Sequence, residues 1–96
     1  MRMMLQAKIP VEAGNAGLSD GSLPETLQQV MGIMHPEAVY IGPEDGERRV
    51  LIFFDLEDAS DIPAVTEPFF QKMNASVELM PVMNLDDLQA GMAKLG

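Results

Sequence analysis

The chain contains no cysteine and no tryptophan, one histidine, and six lysines and arginines against fifteen aspartates and glutamates. Without cysteine there is no disulfide, no thiolate nucleophile and no Cys-ligated zinc or iron–sulfur cluster, a composition that suits a reducing cytosol. The excess of acid gives a net charge of -9, which repels phosphate backbones and anionic membrane surfaces and argues against nucleic acid as a partner. No run approaches the roughly 18 apolar residues of a membrane helix. The first residues, Met1 to Lys8, are broken by Gln6 and Lys8 before a signal-like apolar stretch can form, so a soluble, cytoplasmic protein is expected. Aromatic residues are few, four Phe and one Tyr, and nine Met take over part of the core filling.

What is present reads as one domain over residues 1–96, large enough for a single core with little surplus. Met1, Met3, Leu5, Ala7 and Ile9 alternate with Arg2, Met4, Gln6 and Lys8, which predicts a half-buried first strand ending before Pro10. Val11 to Gly21 holds three glycines with Asn15, Ser19 and Asp20 and shows no apolar period. A mobile loop is expected there, a candidate lid. Ser22-Leu23-Pro24-Glu25 has the spacing of a capping box. A helix follows, with Leu23, Leu27, Val30, Met31 and Met34 on one face and an end at His35-Pro36.

Ala38 to Ile41 predicts a short second strand, reversed through Gly42 to Glu47 into a third strand, Arg48 to Asp55. Val50 to Phe54 is apolar on both faces, as in a strand covered on both sides. Ser60 and Asp61 begin a second helix with Ile62, Val65, Phe69 and Met73 inward, bent or shortened by Pro68. Ala75 to Met83 predicts a fourth strand, and Asn84 caps a last helix with Leu85, Leu88, Met92 and Leu95 at helical spacing. Two right-handed βαβ crossovers around a hairpin give an α+β, ferredoxin-like βαββαβ sandwich: a four-stranded antiparallel sheet in order 4-1-3-2, with an extra C-terminal helix.

Helices cover one face of such a sheet. The pattern places Met4, Gln6, Lys8, Tyr40, Leu51, Phe53, Ser76, Glu78 and Met80 on the other. That face is too apolar for bulk water and too polar for a plain core. A second copy packed across it would bury the apolar residues and enclose the polar ones, so a homodimer with a small cavity is expected. Met4, Gln6, Phe53 and Met80 are the candidate ligand-binding residues. Lys8, Tyr40 and Glu78 are the candidate catalytic groups, if burial shifts their proton affinities. A cross-strand Lys8–Glu78 ion pair is the plainer expectation for two of them.

Other constellations carry less. His35 at a helix C-terminus suits the helix dipole and is badly placed for haem. Asp55, Glu57, Asp58 and Asp61 match no calcium loop and suit a helix N-terminus, and the methionines of the first strand read as core before copper ligands, so no metal or cofactor is expected. The first strand lacks the base-stacking aromatics of RNA-binding domains of this shape.

With the open face defined, the chain resembles the dimeric α/β-barrel superfamily, whose ferredoxin-like subunits pair sheet to sheet. Arg49-Val50-Leu51-Ile52-Phe53-Phe54-Asp55, a capped helix, and Ser76-Val77-Glu78-Leu79-Met80-Pro81-Val82 resemble a bacterial family of short domains of unknown function. The resemblance implies a homodimer that binds a small organic ligand. The alternative it implies is a cofactor-independent monooxygenase or isomerase, in which the protein supplies shape and one proton acceptor.

Overall fold

Period-two burial in Arg2–Ile9 makes the first strand, β1: Met3, Leu5, Ala7 and Ile9 are buried, and the residues between them are not. The computed structural model describes all 96 residues. After β1 come α1 (Val11–Asp20), α2 (Ser22–Met34), β2 (Ala38–Glu44) and β3 (Glu47–Asp55). A 3-10 turn (Ala59–Asp61), α3 (Ile62–Met73), β4 (Ser76–Pro81) and α4 (Leu85–Ala93) complete the chain. The strands form one antiparallel sheet in the order β2-β3-β1-β4, the order expected from the two crossovers.

The core lies between one sheet face and the helices. Leu5, Ala7, Val50, Ile52 and Phe54 meet Leu23, Val30 and Met34 of α2 and Val65, Phe69 and Met73 of α3. Thr26 and Thr66 are buried among them because each hydroxyl donates to the carbonyl one turn earlier, Ser22 at 2.7 Å and Ile62 at 3.0 Å.

Residues 11–20, expected as a mobile loop, form a helix. Its apolar period is missing because glycine does the packing: Gly14 and Gly17 are buried at a spacing of three. A Cβ on Gly14 would stand 2.4 Å from the Arg48 guanidinium, and one on Gly17 3.0 Å from Leu23 Cβ. Arg48 lies across the helix and donates to Asn15 Oδ1 at 3.0 Å. The segment is thus an ordered helix in close backbone contact with Arg48, Leu23 and Met73, where a mobile loop was expected.

That helix changes the start of the next one. Ser22 lies inside α2, and the residue before it, Gly21, sits at φ +82° between the two helices, where L side chains are strained. The Ser22 amide donates to Asp20 Oδ1 at 2.8 Å, so the capping carboxylate comes from the last turn of α1 instead of the expected Ser22–Glu25 box. At the far end His35, at φ +46°, donates its N–H to the Met31 carbonyl and closes the helix before Pro36.

Further boundaries differ from expectation. β2 runs three residues past Ile41, to Glu44, and the reversal is the two-residue turn Asp45-Gly46 with φ +52° and +79°. Pro43 is tolerated because β2 is an edge strand. Asp58, accepting from the Ser60 amide at 3.0 Å, opens the turn before α3. Pro68 does not shorten α3, which continues to Met73, because Phe69 and Met73 beyond it are fully buried and outweigh a penalty of about 3 kcal/mol. β4 ends at Pro81, short of the expected Met83.

Candidate functional site

Pairing register divides the uncovered sheet face into rows running across the strands. One row is Ala38, Phe53, Met4 and Met80; the next is Tyr40, Leu51, Gln6 and Glu78; the third is Gly42, Arg49, Lys8 and Ser76. The first row is apolar, the second mixed and the third basic. None of these side chains is fully buried in the single chain. Phe53 and Tyr40 meet edge to face, with centroids 6.4 Å apart and planes at 77°, an arrangement favoured by the ring quadrupoles.

The candidate catalytic groups do not converge within the chain. Glu78 pairs in register with Gln6, and Lys8 with Ser76, so the expected Lys8–Glu78 pair is absent. Lys8 instead turns toward the hairpin, with Nζ 3.0 Å from Asp45 Oδ2 and 3.5 Å from Glu44 Oε1. The hydrogen bond to Asp45 and the two nearby charges raise the Lys8 pKa, the opposite of what a neutral amine base at pH 7 requires. Tyr40 on β2 and Glu78 on β4 occupy opposite edge strands, three strand spacings or about 14 Å apart. No single substrate bond of one subunit lies between them. Candidate ligand residues fare better: Met4, Phe53 and Met80 share one row, and Gln6 lies beside Met4 in the next.

Arg49 and Glu44 were missed as members of this face. Arg49 Nη1 donates to Glu44 Oε2 at 2.5 Å, while Arg49 Nε is buried with no partner. The alternation of β3 carries Arg49 on the same side as Leu51 and Phe53, and that signal was available. Ending β2 at Ile41 hid Glu44.

A second polar cluster marks the end of the face where α4 leaves. Arg2 Nη1 binds Glu37 Oε1 at 2.5 Å and its Nε binds Asp87 Oδ2 at 3.2 Å, and the Arg2 pKa rises through these two bonds. Asp87 also accepts from the Asn84 amide at 3.1 Å while Asn84 Oδ1 accepts from Asp87, a complete capping box. The Asn84 amide first, and then Arg2, hold the Asp87 pKa below the usual carboxylate value.

His35 and three acids of the β3–α3 junction, Asp55, Glu57 and Asp61, line a concavity of about 340 Å³ with Ile33, Met34, Phe54, Leu56 and Val65. Asp55 is bonded to the Met1 amino group at 2.8 Å, and Asp58 accepts from both the amide and the hydroxyl of Ser60, which lowers its pKa. No three His, Asp or Glu side chains stand together as a metal-binding group. No helix is long and apolar enough to cross a membrane.

Comparison with solved structures gives a likeness to a de novo designed protein, Ferredog-Diesel, with a TM-score of 0.52 at 14% identity over 84% of this chain and 85% of the designed one. The fold is ferredoxin-like. At that identity the likeness carries the fold alone. No known family's sequence profile matches the chain, and no curated protein matches it.

Proposed function

We propose that this ferredoxin-like domain is a homodimer in which two open sheet faces meet, and that the polar side chains trapped between them bind a small organic molecule. The observation that carries this reading is the apolar row Phe53, Met4 and Met80, bordered by Leu51 and Tyr40, on a face that no element of the chain covers. An apolar patch of this kind gains roughly 25 cal/mol for each Å² removed from water. A two-fold contact is the simplest way to remove it from both copies at once. Lys8 and Arg49 are matched by Glu44 and Asp45, which leaves Glu78 as the unpaired charge of the face.

In such a dimer Gln6 and Glu78 lie in the row next to the apolar one and supply a polar anchor beside Met4, Phe53 and Met80. The ligand chemistry that fits is a small, largely apolar body with one or two hydrogen-bonding groups. An enzyme of the cofactor-independent monooxygenase or isomerase kind remains the alternative proposal, and it needs Glu78 and Tyr40 from different copies to face each other.

Sedimentation velocity tests the reading. The wild-type chain should sediment as a dimer, and Phe53→Asp as a folded monomer with an unchanged far-UV spectrum. Leu51→Gln, a milder change on the same face, should weaken association without unfolding. A wild type that stays monomeric over the whole concentration range sinks the proposal.

A further inference from the structure

On the helical side of the sheet the helices stop short of the edge strand β2. Ile41 pairs with Val50 and shares its side of the sheet, yet Val50 is 1% exposed and Ile41 59%. Between β2 and the first two helices lies a concavity of about 390 Å³. Ile9, Leu23 and Val50 are its buried base, and Leu18 and Ile41, both more than half exposed, are its rim. Arg48 is the one polar side chain among the lining residues.

Arg48 is held in place there without being neutralised. In a chain of fifteen acids and six bases, Arg2, Lys8 and Arg49 each stand in an ion pair, and no carboxylate comes within ion-pair distance of Arg48. Its Nη2 donates to the neutral Asn15 Oδ1 at 3.0 Å, while Nε and Nη1 have no acceptor in the protein and stay open to solvent. The seat is made by a missing side chain, because a Cβ on Gly14 would stand 2.4 Å from Arg48 Nη1. Glycine is the least favourable residue inside a helix after proline, and here it lets a guanidinium lie against the backbone. Gly14 and Leu18 are one turn apart on α1, so the fixed charge adjoins the apolar rim.

We propose that this concavity binds a small apolar monocarboxylate, with the carboxylate on Arg48 and the hydrocarbon body against Leu18, Leu23, Leu27 and Ile41. A guanidinium presents paired N–H groups that match the two oxygens of a carboxylate. The Asn15 amide orients it without cancelling its charge, so the anchor is organised before the ligand arrives. The volume lies at the lower end of the range for small-molecule sites, and one cation among apolar walls suits a single negative charge on a hydrocarbon. A phosphate would bring a second charge with no second cation to meet it, since Lys8 and Arg49 lie on the opposite face with Glu44 and Asp45. The concavity is on the other side of the sheet from the face proposed to pair, and its ligand is independent of the dimer.

The test is a titration of the isotope-labelled full-length chain with sodium octanoate, followed through the amide and arginine Nε–Hε resonances. Octanol, with the same hydrocarbon body and no charge, is titrated beside it. Octanoate should shift Gly14, Leu18, Ile41 and Arg48 saturably and bind about 10-fold or more tightly than octanol. Arg48→Met, which keeps a long apolar stem, should lower the octanoate affinity about 10-fold or more and leave that of octanol unchanged. Leu18→Gln/Ile41→Gln, at the two rim positions, should weaken both ligands about 5-fold with the resonances of the buried core in place. Equal affinity for octanoate and octanol overturns the proposal, as does octanoate binding that ignores Arg48→Met. Shifts that never saturate, or that centre on Met4, Phe53 and Met80 of the open face, overturn it as well. The comparison of the two ligands is made on the unaltered chain and decides the point even where Arg48→Met does not fold.

Discussion

The two faces of this sheet are written by alternate residues of the same strands, yet they differ in kind. On the helical side Leu5, Ala7, Val50 and Ile52 are essentially fully buried. On the other side their neighbours Met4, Gln6, Leu51 and Phe53 are only half-buried, and the face changes from apolar to charged along 3 rows. The covered face is finished within one chain. The open one contains the apolar side chains of an interior and the ion pairs of a surface, and α4 repeats that mismatch by exposing a leucine and methionine stripe. Two apolar surfaces are thus left uncovered by the chain itself.

The contrast is most exposed to test by truncation. Leu5→Ala, on the covered face, should lower stability by about 3 kcal/mol in urea unfolding. Its neighbour Gln6→Ala should change it by no more than about 0.5 kcal/mol. Equal losses at the two positions would remove the distinction between the faces.

The glycine packing of α1 sharpens the covered side. Gly17→Val should cost about 2 kcal/mol, because Leu23 and Met73 leave no room for a branched side chain. Gly32, with nothing near its missing side chain, should instead accept alanine with a gain of up to about 1 kcal/mol. Thermal or urea denaturation of the two variants separates packing from backbone entropy.

The hairpin supplies a smaller effect. Gly46→Ala should cost about 1 kcal/mol through its φ of +79°, measured in the same way. Disturbing this turn should also shift the amide resonances of Lys8, which holds Asp45.

The last prediction concerns α4 and acid. Asp87 has a folded pKa below its ordinary value of about 4, so its contribution is complete above that value and is lost as pH falls through the lowered one. The α4 residues should therefore lose helical Cα shifts at acid pH before the covered core unfolds. Asp87→Asn should flatten that dependence. A core that opens at the same pH as α4 would contradict the independence of the two regions.

Much of the fold was legible because burial in strands follows a period of two. Met3, Leu5 and Ala7 against Met4, Gln6 and Lys8 assign both faces of β1, and Val50 to Phe54 marks a strand with apolar residues on both. The strand order follows from the two right-handed crossovers. The candidate site was legible as a set of residues sharing a face, and less so as a geometry. Lys8 was matched with Glu78 because they lie on adjacent strands, but the register sets Lys8 opposite Ser76, and its long side chain reaches the Asp45 turn. Glu44 lies beyond the Ile41 end expected for β2, whereas the alternation of β3 by itself carries Arg49 to the side of Leu51 and Phe53.

By itself the sequence determined the element order apart from α1, the antiparallel sheet and its buried face, since hydrophobic period, caps and turn residues are local signals. Tertiary structure decided that a glycine-rich stretch becomes α1, because only the approach of Arg48, Leu23 and Met73 shows why side chains are missing there. It also decided where Lys8 finds its partners, which depends on register and reach. The exposure of α4 likewise belongs to the tertiary level: a stripe of Leu85, Leu88, Met92 and Leu95 looks the same in sequence whether it is covered or bare.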